Sequence, residues 1–557
     1  MNENETPTAD TVGIITNSKL TNVMNNIVSS AQEGNKNPSK LPVHPIIWYK
    51  AKYPELAAIY GEPLKIIRGA RKSVAGGGYY VAGINEDFLA ATLGSRGSPQ
   101  EPIVFYAPEN GFYQYQAEHG IYHPISEDEI KEMLSAVMLQ CHRACQTHSC
   151  NSSELAFKRR EEKNLWGVIK KAKAILKVEQ DFFADDYTEL LPCVNGVLRL
   201  RDRHLMQFEP QYQLRHKLSV PYRPKEKCNK FLDTLLDRAL DLEDIELLQQ
   251  WCGMLLTGKN HAQMLLILTG TAGGGKGTIV RVLHGILGTG NVGMLRTQLL
   301  ETRFEIGRCS GKMLLYGSDV NEDFLNHRGA SMIKSLIGGD PLNAEFKGSN
   351  KTPEMEGCFN MILTCNSHLK IKLQGDEEAW RRRLLIIELH KEKPKCPIYD
   401  LSEQILEHEA SGVLNWMIEG YRKIRKNRMV IKLTSDQQKR VDDILLESAS
   451  VEVFVRECIE EDSESQLTVE QMRAGYLSFC KKRGWRSVPE KEFSSRSEGA
   501  VVRELGLPKR HDIIDDIGNT RRGWKGIRLN NASAAKSQEN TDTSDASLAI
   551  RNILNES

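Results

Sequence analysis

A glycine-rich loop, set between an apolar run and an amphipathic stretch, is the segment of this sequence best suited to chemistry. Residues 265–268 are apolar, as in a buried parallel strand, and apolar residues recur at helical spacing after Lys276. Glycines let backbone N–H groups point at an oxyanion, and a helix amino terminus adds partial positive charge. We therefore predict a phosphate loop in which Lys276 contacts the β- and γ-phosphates of a nucleotide. The predicted nucleotide-binding residues are Gly270, Gly273, Gly274, Gly275, Lys276, Gly277 and Thr278.

Position 277 departs from the phosphate-loop pattern. The pattern places Ser or Thr directly after the lysine, where its hydroxyl holds Mg²⁺, but Gly277 stands there and Thr278 follows. One residue turns a helix by about 100°, so Thr278 becomes the metal ligand only if the loop register shifts. The alternative is a glycine-rich turn without a ligand, and the strand and helix on either side favour the phosphate loop.

Two further apolar runs each end in a polar residue. The run 312–319 predicts a second strand ending in Asp319, which we expect to hold Mg²⁺ directly or through water, and Glu322 is placed to polarise the attacking water. The run 358–366 predicts a third strand ending in Asn366, whose amide can orient water against the γ-phosphate. Open α/β sheets bind ligands outside their strand ends. We therefore expect these side chains near the loop, although a strand-end Asp can also be an ordinary loop residue.

Two basic segments follow in the same region. Lys347 and Lys351 lie beside a predicted hairpin tip and could contact a phosphate backbone, although two lysines on a surface hairpin more often have no function. Three consecutive arginines precede a predicted strand at 384–387. Arg382 or Arg383 could be a finger presented to a neighbouring subunit's nucleotide. Taken alone, the arginine run is better explained by surface ion pairs.

Length and composition restrict the class of protein. A chain of 557 residues predicts several domains. The net charge of +1 excludes a global positive field, so any nucleic-acid surface must be local. The 12 cysteines are scattered, as in reduced cytosolic proteins. We find neither a signal peptide nor a membrane span and expect a bacterial or viral-host cytoplasm.

Composition and periodicity also predict the domain organisation. Segments rich in Asn, Ser and Thr at both ends are typical of disorder, and a turn at Asn195–Gly196 predicts a hairpin. The expected order is a disordered leader at 1–42, a small module of unknown role at 43–115, a helical domain at 116–235, the phosphate-loop domain at 236–433, a polar helix at 434–450, a small domain at 450–530 and a disordered tail at 531–557.

The small C-terminal domain combines helices with a basic hairpin. Thr468 and Gln471 form a capping box at the start of a helix, and a second helix is predicted at 494–505. The segment 508–529 is basic and hairpin-like, which suits a winged helix on a DNA duplex. The alternative is a small packing domain with a basic rim. The residues predicted to contact DNA phosphates are Arg521, Arg522 and Lys525.

A cysteine–histidine cluster has metal-capable residues close together. Cys141, His142, Cys145, His148 and Cys150 occur within ten residues. A zinc site usually needs a second pair well separated in sequence. We therefore predict thiols buried on a helix, with zinc as the alternative.

The order of these motifs resembles that of superfamily 3 helicases. More closely, it resembles the phage and plasmid primase–helicase family, which includes the poxvirus primase–helicase. The resemblance covers about residues 110–530. The resemblance also includes three segments without these motifs. They are Leu190–Pro224 before the phosphate-loop domain, the segment 409–420 at the end of that domain, and Arg521–Leu529 at the end of a C-terminal winged helix.

This resemblance implies a multidomain α/β fold with an AAA+-type P-loop ATPase core, a preceding helical domain and a C-terminal winged helix. It implies an ATP hydrolase and DNA helicase of a mobile element that binds ATP and Mg²⁺, forms a hexameric ring and unwinds DNA 3′-to-5′ during replication. Carried over by position, Lys276 contacts phosphate, Asp319 is the Walker B acid and Asn366 is the sensor. Lys347 or Lys351 lies on a DNA-facing hairpin, and Arg382 or Arg383 is the finger.

Family members often carry a primase domain in front of the helicase. Only about 110 residues precede the matched region, and Glu86 and Asp87 are adjacent, so they point in different directions in any regular element. We therefore expect a helicase that acts on single-stranded and duplex DNA beside a separate primase or replication initiator. The alternatives are a non-translocating DNA-binding switch weakened by Gly277, and a primase–helicase with a cryptic N-terminal primase.

Overall fold

A computed structural model describes residues 53–68, 79–95, 97–147, 150–179, 181–183, 189–300, 302, 304–321, 325, 329–345, 354–366, 371, 377–391, 398–515 and 517–530. The chain divides into two compact units, one formed by residues 1–99 and 126–176 and the other by residues 100–125 and 177–557. The predicted disordered leader and tail lie outside the described residues, as do Glu322, Lys347, Lys351 and His148.

Helices and strands are numbered here in chain order. The first group is α1 (Pro54–Tyr60), β1 (Leu64–Arg68), β2 (Tyr79–Ile84), α2 (Glu86–Ala91), β3 (Ile103–Tyr106), β4 (Gly111–Gln116), β5 (Ile121–Ile125), α3 (Glu127–Thr147), β6 (Cys150–Asn151), α4 (Ser153–Ala156), α5 (Glu162–Ile175) and β7 (Lys177–Val178). The middle group is β8 (Leu190–Cys193), β9 (Gly196–Arg199), β10 (His204–Met206), a π-helical turn (Lys230–Leu236), α6 (Leu242–Leu255), β11 (Leu265–Gly270), α7 (Lys276–Leu287), β12 (Val292–Met294), α8 (Glu305–Cys309), β13 (Leu314–Gly317), α9 (Gly329–Gly338), β14 (Pro341–Asn343), β15 (Glu354–Glu356), β16 (Asn360–Thr364), α10 (Glu377–Arg381) and β17 (Leu384–Leu389). The last group is α11 (Leu401–Lys426), α12 (Ser435–Ser448), α13 (Ser450–Cys458), β18 (Ile459–Thr468), α14 (Val469–Arg483), α15 (Glu490–Leu505), β19 (Arg510–Ile514) and β20 (Thr520–Leu529).

The first unit packs helices α2, α3 and α5 with a small sheet of β1, β2 and β6. Its core contains Cys141 and Cys145 of α3, which confirms the prediction of thiols buried on a helix, and also Cys150, which lies in the strand β6 instead. Burial raises the pKa of the Cys145 thiol to about 12, and the neighbouring Cys150 and Cys141 contribute. Within the described residues, no group of three or more His, Cys, Asp or Glu could hold a metal ion.

The second unit begins with one mixed sheet and one antiparallel sheet. Strands β3, β4 and β5 form a meander, and β7 joins it in parallel beside β3. The hairpin predicted at Asn195–Gly196 is confirmed, because β8 and β9 pair in antiparallel register on either side of this turn. Within the range predicted as a helical domain, residues 127–175 are mostly helical, whereas residues 190–206 form the strands β8 to β10. The domain boundaries themselves remain predictions.

A parallel five-stranded sheet forms the centre of the second unit, in the order β12, β13, β16, β11, β17. The strands predicted before the loop, before Asp319, before Asn366 and at 384–387 are confirmed as β11, β13, β16 and β17. Helices cover both faces of this sheet. Leu266 and Leu268 pack with α6, α7 and α11, whereas Leu265 and Ile267 pack with α9 and α12. Burial on both faces explains why β11 is a continuous apolar run.

The last 80 described residues fold as α13, β18, α14, α15, β19 and β20, with the sheet order β18, β20, β19. The predicted capping box is confirmed, because Gln471 N–H donates to Thr468 Oγ1 and the Gln471 side chain accepts from the Thr468 N–H. Trp524 and Tyr476 are fully buried in the core of this segment. In the described part of the chain, no helix is long and apolar enough to cross a membrane.

Candidate phosphate-binding site

The glycine-rich loop connects the end of β11 to the start of α7. Its backbone is left-handed or otherwise restricted to glycine at three positions, with φ of +133° at Gly270, +80° at Gly273 and +101° at Gly275. A Cβ added at Gly270 would lie 2.4 Å from the Leu389 carbonyl oxygen. All three positions favour glycine for conformation, and Gly270 also requires it for space. The loop therefore delivers the chain into the amino terminus of α7, where backbone N–H groups can meet an anion.

Lys276 is the first residue of α7 and is only 5% exposed. Its Nζ donates to the carbonyl oxygens of Gly270 at 2.7 Å and Thr271 at 3.0 Å. These two hydrogen bonds hold the Lys276 ammonium group against the backbone of the glycine-rich loop. Because a buried ammonium is stable only with oxygen partners, this position is suited to the oxygens of a phosphate.

Asp319 and Asn366 lie side by side after neighbouring strands. Asn366 Nδ2 donates to Asp319 Oδ1 at 3.4 Å, and both residues are exposed. The Asp319 backbone is left-handed, with φ of +46°. Its N–H donates to Thr364 Oγ1 at 3.0 Å, and Thr364 is buried at the end of β16. The strand end therefore fixes the direction in which the Asp319 carboxylate leaves the sheet.

The strand order brings these groups to one edge of the sheet. β13, β16 and β11 are consecutive and parallel, so their carboxyl ends lead to Asp319, Asn366 and the glycine-rich loop at the same edge. Backbone hydrogen bonds join the segments just past the strands, from Val320 N–H to the Thr364 carbonyl and from Cys365 N–H to the Leu268 carbonyl. This is the edge at which open α/β sheets bind ligands.

The residues on this edge fit Mg²⁺ in part. Mg²⁺ is usually held by one or two carboxylates together with substrate phosphates and water, and the exposed Asp319 carboxylate suits that role. The Thr278 hydroxyl suits it less well, because Thr278 Oγ1 accepts a hydrogen bond from Arg281 Nη2 at 3.3 Å. A guanidinium directed at this oxygen competes with a metal cation, so the geometry does not favour Thr278 as a ligand.

The three consecutive arginines differ in their surroundings. Arg381 pairs with Asp442, and Arg383 is buried, with its Nη1 donating to the Ala379 carbonyl at 3.0 Å. Arg382 is exposed. All three precede β17, which starts opposite the first residue of β11. They therefore lie at the amino edge of the sheet, about 20 Å from the loop across a six-residue strand.

The predicted DNA-contacting residues of the C-terminal hairpin are exposed but differ in their ion pairs. Arg521 pairs with Asp515 at 3.0 Å, and Lys525 pairs with Asp512 at 3.3 Å. Arg522 is exposed on the same strand, β20. Predicted hairpin lysines 347 and 351 fall between the antiparallel strands β14 and β15, in a segment that is not described.

Two polar residues of this region are not evident from the motifs. Thr364 orients the Asp319 backbone, and Arg281 contacts Thr278. The spacing of four residues between Gly277 and Arg281 could have identified Arg281, because residues four apart share a helix face. No sequence signal identifies Thr364, because its contact with Asp319 depends on the pairing of β13 with β16.

Two family models match parts of this chain. Residues 99–240 match the family described as D5 N terminal like, and residues 268–383 match a family of unknown function, DUF5906. None of the curated proteins compared matches the chain. The similar solved structures include the apo structure of the NrS-1 C terminal region, at 12% identity and a TM-score of 0.44, covering 77% of this chain and 97% of that one. The A form apo structure of that region has 12% identity and a TM-score of 0.41, covering 79% and 100%. The D5 N terminal like match overlaps the stretch, about residues 110–530, over which the sequence resembles the primase–helicase family.

Proposed function

We propose that this protein is an ATP-dependent DNA helicase of a phage, plasmid or other mobile element, acting in DNA replication. One observation carries the proposal: the glycine-rich loop with Lys276, the Asp319 carboxylate and the Asn366 amide meet at the carboxyl edge of three adjacent parallel strands. The D5 N terminal like match at 99–240 supports the same type of protein. The parallel sheet with helices on both faces supports the AAA+-type P-loop core that the resemblance implies.

Each group has a distinct role in this proposal. The glycines and the α7 amino terminus bind the phosphates of ATP through backbone N–H groups, and Lys276 contacts the β- and γ-phosphates. Asp319 would hold Mg²⁺ directly or through water, and the ion would supply positive charge at those oxygens. Asn366, in contact with Asp319, orients the attacking water. Glu322 is retained as the residue that polarises this water.

We assign the arginine finger to Arg382. Of the two candidates, Arg383 is buried in its own chain, whereas Arg382 is exposed. The finger lies at the sheet edge opposite the loop, so it is better placed to serve a neighbouring protomer's ATP than its own. This arrangement supports the proposed ring, for which the family resemblance implies six subunits.

We propose that the C-terminal segment is a winged helix that contacts duplex DNA. The order of α13, β18, α14, α15, β19 and β20 supports it, with β19 and β20 as the wing. Arg522 is the strongest candidate phosphate contact, because Arg521 and Lys525 already pair with aspartates of the same hairpin. Lys347 and Lys351, between β14 and β15, are retained as contacts to single-stranded DNA.

A second candidate function is a nucleotide-dependent DNA-binding switch that does not translocate. Gly277 favours it, because the position lacks the hydroxyl that holds Mg²⁺ in a phosphate loop, and Thr278 is engaged by Arg281. Such a protein binds ATP and DNA but hydrolyses ATP slowly and independently of DNA.

A strand-displacement assay with tailed duplexes of both polarities separates the two functions. The helicase proposal expects ATP-dependent displacement from a 3′ tail and loss of displacement in the Lys276→Ala variant. The Lys423→Ala variant is the matched control, because Lys423 is a half-exposed lysine paired with Glu246 on a different helix. ATP-dependent DNA binding without displacement from either tail would support the switch instead.

A further inference from the structure

The guanidinium of Arg281 lies over the place where the glycine-rich loop lacks its usual hydroxyl. Arg281 follows Gly277 by four residues, so both occupy one face of α7. A Cβ added at Gly277 would lie 3.5 Å from Arg281 Nη1, and Arg281 Nη2 donates to Thr278 Oγ1 at 3.3 Å. The first turn of α7 therefore carries a guanidinium where a side-chain oxygen for a metal ion is expected.

A second helix fixes the position of this side chain. Arg281 Nε donates to Ser402 Oγ at 3.0 Å, and Ser402 is a buried residue at the start of α11. Ser402 in turn donates to Glu403 Oε2 at 2.9 Å. Arg281 itself remains exposed. The guanidinium is thus oriented by Ser402 yet accessible to a ligand bound at the loop.

We propose that Arg281 contacts a phosphate of the bound nucleotide and supplies part of the positive charge that a hydroxyl-held Mg²⁺ supplies in other phosphate loops. This inference rests on the proposed nucleotide site at Lys276. A guanidinium presents several N–H donors in a planar fork that matches phosphate oxygens, and it stays charged at all relevant pH values. Nucleotide binding then depends less on Mg²⁺ than in a loop with Ser or Thr at position 277.

The test compares ATP dissociation constants of the full chain in Mg²⁺ and in EDTA. The readout is the dissociation constant in EDTA divided by the dissociation constant in Mg²⁺, and this ratio is small for the wild type. Arg281→Gln should raise this ratio about tenfold, the size of one lost charge-assisted hydrogen bond. Arg281→Lys keeps the charge without the fork and should give an intermediate ratio. Arg422→Gln, at an exposed arginine paired with Glu419, is the matched control and should leave the ratio unchanged.

A second variant covers the case in which Arg281→Gln does not fold. The Thr side chain of Gly277→Thr meets the guanidinium and adds a hydroxyl, so this variant should also raise the ratio. An unchanged ratio in the folded variants would overturn the role of Arg281. The companion variant Lys276→Ala distinguishes this failure from failure of the proposed function. If Lys276→Ala binds ATP normally in both buffers, the nucleotide site itself is wrong; if it loses ATP while the ratio stays constant in the other variants, only the inference on Arg281 is wrong.

Discussion

The left-handed backbone of Asp319 allows a substitution that separates its conformational role from its chemical role. Its φ is +46°, and its N–H is bonded to Thr364 Oγ1 at 3.0 Å. This conformation costs most residues about 1–2 kcal/mol, but Asp and Asn adopt it more readily through local hydrogen bonds. Asp319→Ala should therefore lower the free energy of unfolding by about 1–2 kcal/mol. Asp319→Asn should change it by less than about 0.5 kcal/mol.

Two assays on these variants test the two roles of Asp319. In thermal unfolding, 1 kcal/mol corresponds to about 2–4 °C for a domain of this size, so Asp319→Ala should melt about 2–8 °C below Asp319→Asn. Both variants lack the carboxylate, so both should lose ATP turnover by about 100-fold or more. Equal melting temperatures for the two variants would refute the strained backbone. Normal turnover in Asp319→Asn would refute the role of the carboxylate.

Three further predictions concern other parts of the second unit. Arg382→Ala should retain ATP binding but lose ATP turnover. Turnover should partly return when this variant is mixed with Lys276→Ala, because one variant supplies the loop lysine and the other supplies the arginine finger. Arg383→Ala should instead lower the melting temperature. Burial of Glu305 opposes its ionisation, but the bonds and charges of its two arginine partners outweigh burial and lower the pKa of this carboxyl. The ionised Glu305 carboxylate therefore stabilises the fold fully above the unfolded pKa near 4.5, and this stabilisation is lost as the pH falls through the lower folded pKa. Glu305→Gln should lower the free energy of unfolding by about 2 kcal/mol at pH 7, measured by chemical denaturation. In acid, the variant and the wild type should have the same free energy of unfolding. In fluorescence-anisotropy titrations, Arg522→Ala should reduce the slope of log binding constant for duplex DNA against log salt concentration by about one. Lys525→Ala should reduce this slope by less.

Each of these predictions has a contradicting result. Full turnover in Arg382→Ala would remove the finger assignment, and failure of mixed variants to recover any turnover would argue against a site shared between protomers. An equal effect of Glu305→Gln at pH 7 and in acid would contradict the lowered pKa. Equal salt slopes for the Arg522 and Lys525 variants would show that the ion pair of Lys525 with Asp512 does not limit its contact with DNA.

The local elements of the candidate site could be predicted from sequence because their signals are local. The apolar run 265–268 and the spacing after Lys276 fixed a strand and a helix, and Asn195–Gly196 fixed a hairpin. The capping box at Thr468 was equally direct. Each of these signals lies within about ten residues of the element it specifies, so no tertiary information was needed.

Long-range pairing could not be predicted in the same way. The parallel pairing of β7 with β3 joins residues more than 70 positions apart, and residues 100–125 belong to the second unit although residues 126–176 belong to the first. The choice between Arg382 and Arg383 depended on burial, which three identical residues in sequence do not reveal. The contact between Thr364 and Asp319 likewise depends on the neighbouring positions of β16 and β13.

ATP turnover by the purified full chain, with and without single-stranded DNA, tests the central claim most directly. If Lys276, Asp319 and Asn366 form one nucleotide site, wild type hydrolyses ATP faster on DNA, and Lys276→Ala loses both ATP binding and this stimulation. The Lys423→Ala control should behave as wild type. ATP binding and DNA-stimulated turnover that survive in Lys276→Ala would contradict the account.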